Sequence, residues 1–90
     1  MSSTWDPDWV ISPGETLRDW LDENHLSANV AARTCRMGSY ELRGILEGRL
    51  KIDRVRAEKL QAGTMIPARL WLNLERQFRQ GLAEGKVWVR

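Results

Sequence analysis

LSANVAARTCRMGSYELRGILEG, residues 26–48, describes two short helices joined by a tight turn, a helix-turn-helix. Ser27 supplies the N-cap of a first helix over residues 28–35, because its hydroxyl can accept from an otherwise unpaired backbone N–H. Val30, Ala31, Thr34 and Cys35 then share one face, and the short Ala31 and Ala32 let a second helix cross closely. Ser39 caps that second helix, where Leu42, Ile45 and Leu46 stand at i, i+3 and i+4 as one narrow apolar stripe. Gly48 follows as a left-handed C-cap.

The opposite face of the second helix carries Tyr40, Arg43, Gly44 and Glu47. A helix buried on one side and presenting Tyr and Arg on the other suits the major groove of DNA. The expected base-reading residues are Ser39, Tyr40, Arg43 and Gly44. A Gly inside a helix costs about 1 kcal/mol relative to Ala, and close approach of the helix backbone to the groove is the expected compensation. The competing reading is an ordinary helical hairpin whose outer face is merely solvated.

Downstream, Arg49-Leu50-Lys51-Ile52 places two cations around apolar anchors, and Asp53 caps a fourth helix over residues 54–62 that Gly63 ends. Lys and Arg next to a groove-facing helix supply affinity through phosphates without reading sequence. The candidate phosphate contacts are Ser27, Arg36, Arg49, Lys51 and Arg54. Pro67 opens a fifth helix, with Leu70, Trp71, Leu74 and Phe78 on its apolar side. Core packing is the default for that stripe, and a dimer seam through Trp71 and Phe78 is the alternative. The tail KVWVR, which holds Trp88, either frays or adds a strand to a partner.

Upstream, Ser12-Pro13-Gly14-Glu15 is a capping box with Pro at the first helical position. The helix it opens has Leu17, Trp20 and Leu21 as its stripe and Asn24 as its C-cap. The preceding SSTWDPDWVI lacks helical periodicity and is expected to be an extended arm. Trp5 and Trp9 either pack back on the domain or anchor a protein partner. The expected organisation is an arm over 1–11, a helical domain over 12–80 and a tail over 81–90.

A chain of 90 residues supports one modest core and no second catalytic lobe. The formal charge is only +2, but residues 1–25 hold six acids against one Arg, and residues 33–59 hold eight Lys or Arg against four acids. An acidic head before a basic middle suggests two partner surfaces, with the basic one on the helix-turn-helix. Cys35 has no disulfide partner, and no secretion signal or membrane-length apolar run is present. A cytoplasmic protein is expected. His25 and Cys35 alone make no metal site, no cofactor motif is present, and no nucleophile with a base or paired acids suggests an enzyme.

The run Leu26-Ser27, Ala31-Ala32, Leu42, Ile45 and Gly48 resembles the lambda-repressor-like, XRE-type helix-turn-helix family without a gap. Ser12-Pro13-Gly14-Glu15-Thr16-Leu17 is similar to the opening motif of the HigA-type antitoxins, and Ile45-Leu46-Glu47-Gly48-Arg49 and Trp71-Leu72-Asn73-Leu74 resemble two further stretches of that group. The chain departs from the family at Arg36, in a turn position usually held by Gly, and at Gly44, where relatives present a long polar side chain. The resemblance implies an all-α, compact five-helix domain with short arms, acting as a homodimer that binds double-stranded operator DNA and represses its own promoter. It also implies a partner, a small basic toxin that cleaves mRNA; the charge distribution makes the acidic first quarter of the chain, with Trp5 and Trp9, the expected place of that contact. The alternatives are a phage or prophage regulator without a toxin, and a protein-interaction module whose helix-turn-helix is vestigial.

Overall fold

The computed structural model describes residues 8–89. Among these are five helices: α1 (Pro13–Glu23), α2 (Ala28–Thr34), α3 (Ser39–Leu46), α4 (Arg54–Thr64) and α5 (Ala68–Ala83). Two strands flank them, β1 (Trp9–Ile11) and β2 (Val87–Val89). The expected five-helix architecture holds, with α2 and α3 as the helix-turn-helix. Trp5 lies outside the described residues.

How the helices end explains much of the geometry. In α1, α2, α3 and α5 the chain leaves through a left-handed residue, at His25, Arg36, Gly48 and Gly85 respectively. Each exit closes by the same pair of backbone bonds. After α3, Gly48 N–H donates to Ile45 C=O (3.1 Å) and Arg49 N–H to Gly44 C=O (2.8 Å), which satisfies carbonyls that the helix would otherwise leave orphaned. After α2, Arg36 N–H donates to Arg33 C=O (3.1 Å) and Met37 N–H to Ala32 C=O (2.8 Å). Gly48 adopts φ 77° at little cost, whereas Arg36 is held at φ 57° with a Cβ in place.

Several expected boundaries move. Ser12 occupies the N-cap of α1, but its side chain makes no capping bond; its carbonyl accepts from Glu15 N–H (3.0 Å) and its side chain is buried. Gly38 rather than Ser39 is the N-cap of α3, and Ser39 is the first helical residue. Gly63 does not stop α4, which runs on to Thr64 and turns at Met65 (φ 66°). Gly63 instead lets α4 approach α2, since a side chain there would collide with Cys35 Sγ. α5 passes through Gly81 to Ala83.

The core joins Leu17 and Leu21 of α1, Ala31, Ala32 and Cys35 at α2, Leu42 and Ile45 of α3, Ile52, Ala57 and Leu60 around α4, and Trp71 of α5. Thr34 stays outside it, exposed, with its hydroxyl donating to Val30 C=O (3.1 Å). Burial pushes the Cys35 thiol's pKa up. α1 crosses the end of α3 so closely that a Cβ at Gly14 would strike the Ile45 and Leu46 carbonyls. That contact gives the Pro13-Gly14-Glu15 opening a packing reason.

The flanking strands show where both arms go. β1 and β2 pair with each other in parallel, in the register Trp9–Val87, Val10–Trp88 and Ile11–Val89. A parallel pair needs a long crossover, and here the entire helical body provides it. The tail is therefore not frayed: residues 87–89 form a strand paired to β1 of the same chain. Trp88 turns inward, its ring edge-on to Phe78 with centroids 5.1 Å apart. Trp71 (0% exposed) and Phe78 (1% exposed) are interior residues, which removes both from any dimer seam. Trp9, Ile11, Val87 and Val89 remain exposed on the outer side of the ribbon. No helix of the described residues is long and apolar enough to cross a membrane.

Candidate nucleic-acid interface

The exposed surface around α3 is built from short, well-anchored elements. α2 begins at Ser27, whose Oγ accepts from Val30 N–H (3.3 Å). Two residues on, Asn29 Oδ1 accepts from Ser39 Oγ (3.2 Å), which ties the start of α2 to the start of α3. The apolar stripe Leu42, Ile45 and Leu46 is buried as the spacing requires, so α3 cannot rotate. Tyr40 is 73% exposed, and Arg43 and Glu47 are exposed on the same side.

Gly44 is not on that side. It is buried, and the space its missing side chain leaves is filled by Leu50, 2.6 Å from where a Cβ would stand. The close approach expected at Gly44 is an internal one, between α3 and the loop that follows it. The outward stripe is Tyr40, Arg43 and Glu47, so Gly44 drops out of the base-reading set.

The loop after α3 is held at three points. Leu50 packs on Gly44, Ile52 N–H donates to the buried Glu75 carboxylate (3.2 Å), and the Lys51 carbonyl accepts from Arg56 Nη1 (3.0 Å). Arg56 also donates from Nε to Glu41 of α3 (2.8 Å), and Glu75 is paired with Arg79 on its own helix. The loop is thereby fixed relative to both α3 and α5. Asp53 caps α4 through Arg56 N–H (2.9 Å), which sets Arg54 at the first helical position, exposed.

Arg49 behaves differently from the other candidate cations. Its Nε donates to Glu47 Oε1 (2.7 Å), its Nη1 to the Tyr40 hydroxyl (3.3 Å), and its guanidinium lies 5.1 Å from the Tyr40 ring centroid. The hydrogen bond to Glu47 raises the Arg49 pKa above its ordinary value. Arg36, Arg43, Lys51 and Arg54 are exposed and make no ion pair with a carboxylate among the described residues. Four exposed cations without a carboxylate partner, on α3 and the segments before and after it, are suited to a polyanion.

Sequence reasoning misses four contributors. Asn29 and Arg56 look like ordinary polar helix residues, and nothing in their spacing marks them. Glu47 reads as an outer-face residue, with no sign of its pairing to Arg49 two positions on, across the helix end. Glu75 does carry a signal: it falls between Trp71 and Phe78, four residues after the one and three before the other, an acid within an apolar stripe.

Solved structures share this fold over most of their length. An antidote protein of a plasmid maintenance system from Nostoc punctiforme matches with a TM-score of 0.80 and 25% identity, over 84% of each chain. The antitoxin HigA of Pseudomonas aeruginosa, solved with the higBA promoter, matches with a TM-score of 0.77 and 25% identity over 82% of each chain. The antitoxin GraA matches with a TM-score of 0.77 and 30% identity, over 81% of this chain and 80% of its own. No protein-family model and no curated protein matches the chain.

Proposed function

We infer that this chain, which belongs by fold to the helix-turn-helix antitoxins, is a sequence-specific DNA-binding repressor of the HigA type within the XRE group. It binds the promoter of its own operon through α3 and neutralises a small basic toxin that cleaves mRNA. The observation that carries this reading is the exposed Tyr40–Arg43 face of a firmly held α3, in a fold shared with an antitoxin solved with its promoter. The chain acts in the cytoplasm by binding, not by catalysis.

Tyr40 and Arg43 read bases, Arg43 being suited to a bidentate contact with guanine. Lys51, Arg54, Arg36 and the N-cap region at Ser27 meet phosphates on either side. The repressor works as a homodimer, for which the exposed apolar outer side of the ribbon, with Trp9 and Ile11, is the supporting feature. The acidic outer side of α1, with Asp19, Asp22 and Glu23 exposed, supports contact with a basic toxin.

The test is binding of the purified chain to a duplex from upstream of its own reading frame and to a shuffled duplex of equal length. The reading expects a clear preference for the upstream duplex and protection of two patches about 34 Å apart. Equal binding to both duplexes removes the repressor. Co-expression with the product of the neighbouring reading frame tests the second half: growth arrest by that product, relieved by this chain, is the expected result.

A further inference from the structure

We propose that Glu47 is a specificity-determining residue of the α3 face: off the operator it restrains Arg49, and on the operator its carboxylate accepts from the amino group of a cytosine. The proposal rests on the DNA-binding reading above and deepens it.

The placement of Glu47 is unfavourable on general grounds. Its side chain is 56% exposed, it is the C-cap of α3, and it shares the outward stripe with Tyr40 and Arg43. A carboxylate at a helix C-terminus opposes the helix dipole, and on this stripe it also faces an incoming polyanion. Its partner shows what it does. Arg49 is the member of the candidate phosphate set that is neutralised, through the 2.7 Å bond to Glu47, while Tyr40 supports the guanidinium from beneath. Glu47, Arg49 and Tyr40 form one connected set at the tip of the interface.

A carboxylate only accepts hydrogen bonds. In the major groove guanine O6 and N7 and thymine O4 are acceptors that repel it, whereas the cytosine amino group is the donor that Glu or Asp takes. On DNA lacking that cytosine, Glu47 keeps Arg49 and adds repulsion. On DNA that presents it, the carboxylate moves to the base, and Arg49, still carried by Tyr40, turns to a phosphate. The pairing thus weakens binding to wrong sequences more than to the right one.

The experiment measures binding of the parent, Glu47→Gln, Glu47→Ala, Arg49→Ala and the double variant Glu47→Gln with Arg49→Ala to the upstream duplex and to a shuffled duplex, across a salt series. For Glu47→Gln the expected result is at least about fivefold tighter binding to the shuffled duplex, with a salt slope steeper by about one, the value of one added phosphate contact. The upstream-to-shuffled preference should fall about tenfold. A base scan of the upstream duplex should reveal one cytosine whose replacement costs the parent about tenfold and costs Glu47→Ala little. In the Arg49→Ala background, Glu47→Gln should no longer steepen the slope. If Glu47→Gln tightens both duplexes by the same factor, or the base scan is identical for parent and Glu47→Ala, the proposal is overturned while the repressor reading stands. If the parent shows no preference for the upstream duplex, both fall together.

Discussion

Leu50 fills the position that a side chain at Gly44 would take, so the loop after α3 is moulded onto a gap in α3 itself. Gly44→Leu should therefore overpack this contact and lower unfolding stability by about 1–3 kcal/mol, despite the better helix propensity of Leu. Because Leu50 lies between Arg49 and Lys51, the displaced loop should also weaken binding to operator and shuffled DNA alike. Urea denaturation of Gly44→Leu, Leu50→Ala and the double variant checks the coupling: the cost of Gly44→Leu should shrink once position 50 holds a small side chain. Equal cost in both backgrounds would mean that the two positions do not share space.

Arg36 offers a change that raises stability. Its left-handed backbone (φ 57°) suits Gly far better, so Arg36→Gly should stabilise the fold by about 1 kcal/mol. For a domain of this size, that corresponds to a rise in Tm of about 4–8 °C. If Arg36 also meets a phosphate, the same variant should bind DNA with a salt slope shallower by about one. A higher Tm with an unchanged slope would keep the backbone argument and discard the contact.

Lys51 and Arg54 should contribute affinity without choice. Replacing either with Ala should weaken operator and shuffled duplex by similar factors and reduce the salt slope by about one for each. Loss of preference in either variant would move that residue from phosphate to base.

Glu75 ties α5 to the DNA-facing loop through Ile52 N–H. Glu75→Gln leaves Arg79 without its charged partner and weakens the bond to Ile52, at a cost of about 1–3 kcal/mol. Chemical denaturation measures that loss. At a temperature where the variant is still folded, its DNA affinity should also fall, because the loop carrying Arg49 and Lys51 is less well held.

Burial of Cys35 and its raised pKa keep thiolate scarce in the folded chain. Labelling by a thiol reagent should therefore be slow in the native protein, rise steeply with denaturant, and follow the unfolding curve. Fast labelling under native conditions would show that the contact between Cys35 and Gly63 opens locally.

The helix-turn-helix is legible because capping and spacing act locally: Ser27, the stripe Leu42, Ile45 and Leu46, and the left-handed Gly48 each need only their near neighbours. Gly44 misleads for the complementary reason. A missing side chain signals close approach but not to what, and Leu50 becomes its neighbour only once the loop folds back. The ribbon is invisible in the same way, since the alternation in Val87-Trp88-Val89 shows a strand and not its partner. Trp71 and Phe78 announce an apolar face, and whether that face meets the chain's own core or a second copy depends on where Trp88 comes to rest.

The pairing of Trp9 with Val87 joins positions 78 apart, and this imposes an order on biosynthesis. While the ribosome is still making α5, β1 has long been exposed with its edge unpaired and nothing to pair with. Only when residues 87–89 emerge can the ribbon close and Trp88 settle against Gly48, where a side chain would collide with its ring. A chain whose translation stops near Gly85 would carry all five helices yet leave the end of α3 and the inner side of β1 bare, an open strand edge of the kind that aggregates or is degraded. Closing the ribbon therefore separates a chain that has reached residues 87–89 from one interrupted before them.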